Sequence, residues 1–192
     1  KSCFYSVTLR TAGFETVDTT NLTTASKFIS IFYMFIGGSP GSTAGGIKTT
    51  TFAILIFMVI GYLKGYENTV MHKRTISQKI LKRAIVIFAV SIIFVMTAII
   101  SLTITEDLYQ EQQSAMNQLN NTKFRFMDII YEVFSAYATV GVTLGITPKL
   151  SVIGKIIIML LMFVGRVGPI TISYAVLKKS NAQKKFNYPE CD

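Results

Sequence analysis

The sequence predicts an all-α integral membrane protein that contains an internal repeat and a membrane helix broken by a glycine-rich loop. Three observations carry that prediction. Apolar residues make up 51% of the 192-residue chain and charged residues only 15%, with a mean hydropathy of +0.48; soluble domains carry about 25% charged residues. The apolar residues gather in long runs at 25–36, 51–63, 84–105 and 152–177. Between the first two, five glycines (Gly37, Gly38, Gly41, Gly45, Gly46) and Pro40 fall within residues 37–46.

The net charge is +9, and its cations cluster in short segments between and after apolar runs. That pattern suits a cytoplasmic membrane face better than nucleic-acid binding, and no nucleic-acid partner is expected. Cys3 and Cys191 stand at opposite ends, so no disulfide framework is expected. The chain opens on Lys1, shows no signal peptide, and reads as a piece of a longer protein.

Residues 1–10 form a short amphipathic run. Thr11-Ala12-Gly13-Phe14 follows, then a polar loop over 15–24. A continuous helix over residues 25–63 would be about 58 Å long, roughly twice the hydrocarbon thickness of a bilayer. Residues 37–46 cannot stay helical, because glycine is too permissive and proline lacks an amide donor. Non-helical backbone at membrane depth survives only inside protein or beside a water-filled cavity. The stretch therefore reads as a flexible loop facing a pore, between two half-helices. The alternative is an aqueous loop joining two separate spans, for which the flanking runs are short.

Residues 64–83 carry Lys64, Lys73, Arg74, Lys79, Lys82 and Arg83 against Glu67, which places them in the cytoplasm. His72, among these charges, receives no role. Residues 84–105 hold no charge and are long enough to span. Residues 106–125 include Glu106, Asp107 and Glu111 and are expected outside, in solvent. Residues 126–138 are too short to cross and fit a re-entrant helix. Thr139-Val140-Gly141-Val142-Thr143-Leu144-Gly145 leads back outward. The last run, 152–177, is interrupted by Gly165-Arg166-Val167-Gly168-Pro169, and a cytoplasmic tail follows with Lys178, Lys179, Lys184 and Lys185. The expected divisions are 1–63, 64–83, 84–177 and 178–192.

A constant offset of 128 residues relates two parts of the chain. Thr11, Gly13, Thr19, Leu22, Lys27, Ile29, Met34, Phe35, Gly37 and Thr43 match Thr139, Gly141, Thr147, Leu150, Lys155, Ile157, Met162, Phe163, Gly165 and Thr171 without a gap. The repeated unit is a short re-entrant helix, a Thr-x-Gly turn, and a long span with a glycine break. That is the plan of a potassium-selective pore loop, in which backbone carbonyls replace the ion's water shell. The candidate ion-binding backbone is Thr11, Ala12 and Gly13 with Thr139, Val140 and Gly141. The bland alternative is a pair of unrelated turns.

Arg166 interrupts an apolar run, and a central arginine costs about 2.5–3.5 kcal/mol on insertion scales. It therefore reads as facing a cavity or partner, or as a cap on carbonyls of the broken helix. The offset places it level with Gly38. Lys48 follows the loop and either assists a gate or snorkels to the inner surface. Lys27 and Lys155 read as interfacial anchors. The candidate gate comprises Gly37, Gly38, Ser39, Gly41, Ser42, Thr43, Gly45, Gly46, Lys48 and Arg166. It is expected to lie across the ion path just below the filter, with loop carbonyls and hydroxyls accepting from the guanidinium.

RTAGF (residues 10–14), MFIGGSPGSTAGGIKTTT (34–51), SAYATVGVTLGITP (135–148) and LMFVGRVGPIT (161–171) resemble the Ktr/Trk/HKT superfamily of potassium transporters. The membrane subunits of bacterial Ktr systems are the nearest likeness. Trk subunits tend to carry a cysteine where this chain has Ser39-Pro40. The resemblance implies four repeated span–pore helix–filter–span units, potassium-channel-like, with a broken inner helix; this chain would hold the end of the third unit and all of the fourth. It implies a multi-pass protein of the bacterial cell membrane, a homodimer, with an RCK-type nucleotide-binding regulatory subunit on the cytoplasmic side. It further implies a pore-lining arginine beside the gating loop, potassium as the transported ion, sodium as a candidate activator, no tightly bound cofactor and no enzymatic activity.

Two other functions compete. Gly41-Ser-Thr-Ala-Gly-Gly-Ile-Lys-Thr has the look of a P-loop, but Ile47 separates Gly46 from Lys48, and no strand ending in Asp is apparent. A non-transporting membrane scaffold would have no reason to keep two Thr-x-Gly turns behind short helices.

Overall fold

A computed structural model describes residues 2–16, 19–20, 22–42, 44–65, 70–71, 74–116 and 125–168. Thr43, His72, Lys73, Pro169, Thr171 and the basic tail lie outside the described residues. Helices dominate: α1 (Ser2–Thr8), α2 (Thr24–Phe35), α3 (Thr49–Leu63), α4 (Gln78–Met116), α5 (Phe126–Tyr137) and α6 (Val152–Val167). A small departure from the all-α expectation occurs in the basic loop. There β1 (Val70–Met71) pairs antiparallel with β2 (Arg74–Thr75), Val70 opposite Thr75 and Met71 opposite Arg74. The loop reverses direction between α3 and α4, and a two-residue ladder is enough to pair its backbone there.

Among the described residues, α4 is the helix long and apolar enough to cross a membrane, over Gln78–Glu111. Ala84, Ser91, Val95, Ala98, Leu102 and Glu106 are buried and recur every three, four or seven residues, which is one face of a helix. Ile93, Met96, Ile100 and Ile104 are apolar yet exposed. Apolar residues on both the buried and the exposed side of a helix suit a membrane span or the core of a larger protein. Its hydroxyls stay satisfied within the helix: Ser91 donates to the Ile87 carbonyl at 2.7 Å and Thr103 to that of Ile99 at 2.8 Å.

Helix α5 has 12 residues, about 18 Å of length, too little to cross a bilayer. Seven of them are nevertheless buried, because α2, α4 and α6 all pack on it. One core joins α4, α5 and α6 through Val95, Leu102, Val133, Tyr137, Leu150 and Leu161. A second joins α2, α5 and the chain just after α1 and after α5 through Leu9, Ile31, Met34, Tyr131, Val140 and Val142.

Helices α2 and α6 begin alike. The Thr23 hydroxyl accepts from the Ser26 amide at 3.3 Å, and the Ser151 hydroxyl from the Gly154 amide at 3.0 Å. Both are N-caps that satisfy a first-turn donor, and both pairs stand 128 residues apart. Helix α2 stops at Phe35 and α3 starts at Thr49, so the glycine-rich stretch is non-helical, as its composition requires.

Candidate ion path and gating loop

Each Thr-x-Gly turn hangs on the end of a short helix. Ala12 donates from its amide to the Thr8 carbonyl at 3.1 Å, and Val140 to that of Ser135 at 2.9 Å. Thr11 has φ 66° and Thr139 φ 55°, and among the described residues these are the non-glycine positions with positive φ. A β-branched residue in that region is an outlier, at a cost of about 1–3 kcal/mol. Two residues on, Gly13 has φ 73° and Gly141 φ 88°. The same strained backbone is thus built twice.

The turns touch. A Cβ on Gly13 would collide with the Val140 carbonyl oxygen, so Thr11-Ala12-Gly13 and Thr139-Val140-Gly141 lie side by side. Beyond them, the Thr19 hydroxyl sits 2.6 Å from a Glu15 carboxylate oxygen and 2.7 Å from the Thr143 carbonyl. Its single proton serves one acceptor at a time. Buried Glu132 on α5 accepts from the Thr143 hydroxyl at 2.7 Å, from the Leu144 amide at 3.3 Å and from the Thr147 hydroxyl. One carboxylate therefore staples the outgoing chain to its own helix.

The glycine-rich loop is closed at its base by backbone bonds. The Gly37 amide donates to Ile47 O at 2.8 Å, Ile47 to Phe35 O at 3.2 Å, and Thr49 to Gly38 O at 3.2 Å. Lys48 locks the tip, its Nζ donating to the carbonyls of Ser42 at 3.0 Å and Ala44 at 2.5 Å. Ser42 turns back to the Ser39 carbonyl at 2.8 Å, and Gly41 sits exposed at φ 83°. The Gly45 amide donates to the Thr139 hydroxyl at 2.9 Å. Only glycine fits there, since a Cβ would lie 2.6 Å from Thr139 Oγ1 and 2.8 Å from the Ala138 carbonyl.

Arg166 is exposed on the last turn of α6. Its neighbour Gly165 packs on the Tyr137 carbonyl at the end of α5. The structure thus joins the two turns to each other and the loop to the second turn. The loop carbonyls of Ser42 and Ala44 accept from Lys48.

Some residues play parts that the sequence did not disclose. Lys27, expected at a membrane interface, pairs with Asp128 of α5 at 2.7 Å, both largely buried. Glu106, expected in a solvated loop, is wholly buried, because α4 runs on through Met116 and carries it beneath α6. There it accepts from the Ser151 amide at 3.0 Å and hydroxyl at 2.7 Å. Its signal was present: Glu106 continues the buried α4 stripe four residues after Leu102.

Residues 1–188 match the family model described as "TrkH: Cation transport protein". The chain belongs to the TrkH family of cation transport proteins. It is 40% identical over 188 residues to the "Potassium/sodium uptake protein NtpJ" of Enterococcus hirae, covering 97% of this chain and 39% of that protein. It is 38% identical over 189 residues to the "Ktr system potassium uptake protein B" of Bacillus subtilis, covering 98% and 38%. The like-named protein of Vibrio alginolyticus is 36% identical over 187 residues, covering 97% and 37%. The chain therefore spans about two-fifths of the length of these relatives. The family is one of cation transporters rather than of enzymes, and membership in it implies a membrane protein.

Proposed function

We propose that this TrkH-family chain forms part of a potassium uptake path across the bacterial cell membrane. The reading rests above all on the two adjoining turns, each with a left-handed threonine and a left-handed glycine around a residue of ordinary φ. Such alternation lets successive carbonyls share one side of the chain, as an oxygen ring around a bare cation needs. Strain kept twice at matched positions supports function over chance, and it counts against a mere scaffold.

In this account the backbone of Thr11, Ala12, Gly13, Thr139, Val140 and Gly141 forms two quadrants of a four-part filter. Residues 37–46 form the gate beneath it, with Lys48 holding the loop in shape and Arg166 placing positive charge along the path. The complete protein crosses the membrane several times, dimerises, and answers to an RCK-type nucleotide-binding subunit; sodium is a candidate activator. The names of the Ktr relatives, which are parts of named systems, support a multi-component assembly. The P-loop reading is disfavoured because the Lys48 ammonium is occupied by carbonyls of its own loop.

The test is potassium uptake into vesicles holding the complete protein. Concentrative or gradient-driven potassium entry is expected; vesicles no leakier than protein-free controls, with folded protein present, would refute the reading.

A further inference from the structure

In each helix–turn unit, one hydroxyl catches the carbonyl that follows the glycine of the turn. Thr8 Oγ1 donates to the Phe14 carbonyl at 2.7 Å, and Ser135 Oγ to the Val142 carbonyl at 2.5 Å. Thr8 and Ser135 are only 2% and 4% exposed. Water is not at hand for either, so each hydroxyl is committed to that carbonyl.

The two acceptors are matched by the 128-residue offset, but the donors are not. The offset pairs Thr8 with Ala136, and Ser135 with Val7. The same bond is made twice from helix positions that differ by one residue. The equivalence is spatial and invisible to an ungapped comparison. A bond rebuilt from a shifted position points to a requirement on the acceptor carbonyl, not to inheritance of the donor.

We infer that Thr8 and Ser135 are positioning residues for ion selection, holding the Phe14 and Val142 carbonyls back toward α1 and α5 and away from the ion path. The inference rests on the filter reading of the two turns. It adds that the oxygen ring ends at Gly13 and Gly141. The Phe14–Glu15 and Val142–Thr143 peptides are clamped, one peptide beyond each glycine carbonyl; the fixed neighbour limits how far that carbonyl can swing inward around a smaller cation. Sodium, which needs a tighter ring than potassium, is thereby disfavoured.

The complete protein carrying Thr8→Val, Thr8→Ser or Ser135→Ala is compared with wild type in reconstituted vesicles. Potassium and sodium uptake are measured at matched protein amounts. The potassium and sodium concentrations that protect purified protein against heat give a second ratio that needs no flux. Removing one buried hydrogen bond should lower the potassium-to-sodium ratio about threefold to tenfold in Thr8→Val and Ser135→Ala, and Thr8→Ser should keep the wild-type ratio. Wild-type ratios in both hydroxyl-less variants would overturn the inference. So would an equal loss in Thr8→Ser, which would assign the effect to packing. If wild type itself shows no preference for potassium in either assay, the filter reading falls, and the inference with it.

Discussion

The backbone amide of Gly45 and the side-chain hydroxyl of Thr139, 94 residues apart in sequence, are joined by a hydrogen bond of 2.9 Å. The bond ties the glycine-rich loop to the base of the second Thr-x-Gly turn. Loop and turn are thereby one connected structure, and a change at the loop is felt at the turn. Gly45→Ala should expel the loop from this contact, since the added methyl would press on Thr139 Oγ1 and the Ala138 carbonyl. The expected outcome is higher potassium flux without the regulatory subunit, read in vesicles at matched protein amounts. Unchanged flux in a folded variant would place the gate elsewhere.

Lys48 gives the loop its second hold. Lys48→Met keeps the length of the side chain but removes donors to two carbonyls. Hydrogen bonds from charged groups contribute about 1.5–3 kcal/mol, so even partial loss should raise basal flux by roughly tenfold. Arg166→Ala should act in the same direction by removing positive charge from the path, and should weaken dependence on the regulatory partner. Both variants should keep wild-type ion preference, because neither substitution removes the Gly45–Thr139 bond that holds the loop to the turn. Flux and dependence equal to wild type in both would contradict the gating role.

Glu106 should matter for stability before transport. In Glu106→Ala the Ser151 amide and hydroxyl lose a buried acceptor, at a cost of about 1–3 kcal/mol. Glu106→Gln keeps an acceptor and should fall between it and wild type. Thermal unfolding of the detergent-solubilised protein reads the order, and an alanine variant as stable as wild type would show that water replaces the carboxylate.

Orientation can be read by cysteine labelling. Lys79→Cys should react with an impermeant thiol reagent only from the cytoplasm, and Glu111→Cys only from outside, since both positions are exposed. The reverse pattern would invert the path.

Local chemistry is what the sequence shows most clearly. The break between α2 and α3 follows from glycine and proline at 37–46, whatever surrounds them. Thr11 and Thr139 stand out because the repeat aligns them, and their matched φ angles put the same backbone at both places. What depends on packing was hidden. Lys27 meets Asp128 only because α2 lies against α5. Glu106 looked like a loop acid because charge suggested water, whereas helix α4 continues and α6 supplies donors. Lys48 reaches the Ser42 and Ala44 carbonyls because the turn into α3 folds the loop back over its own base.

The filter role of the two turns is tested most directly by the relative uptake of potassium and sodium by the complete protein carrying Gly13→Ser or Gly141→Ser. A side chain at φ 73° or 88° is strained, and at Gly13 it also strikes the Val140 carbonyl. Potassium preference should fall in both variants, more steeply for Gly13→Ser. Wild-type preference in both, with protein folded and conducting, would contradict the filter role.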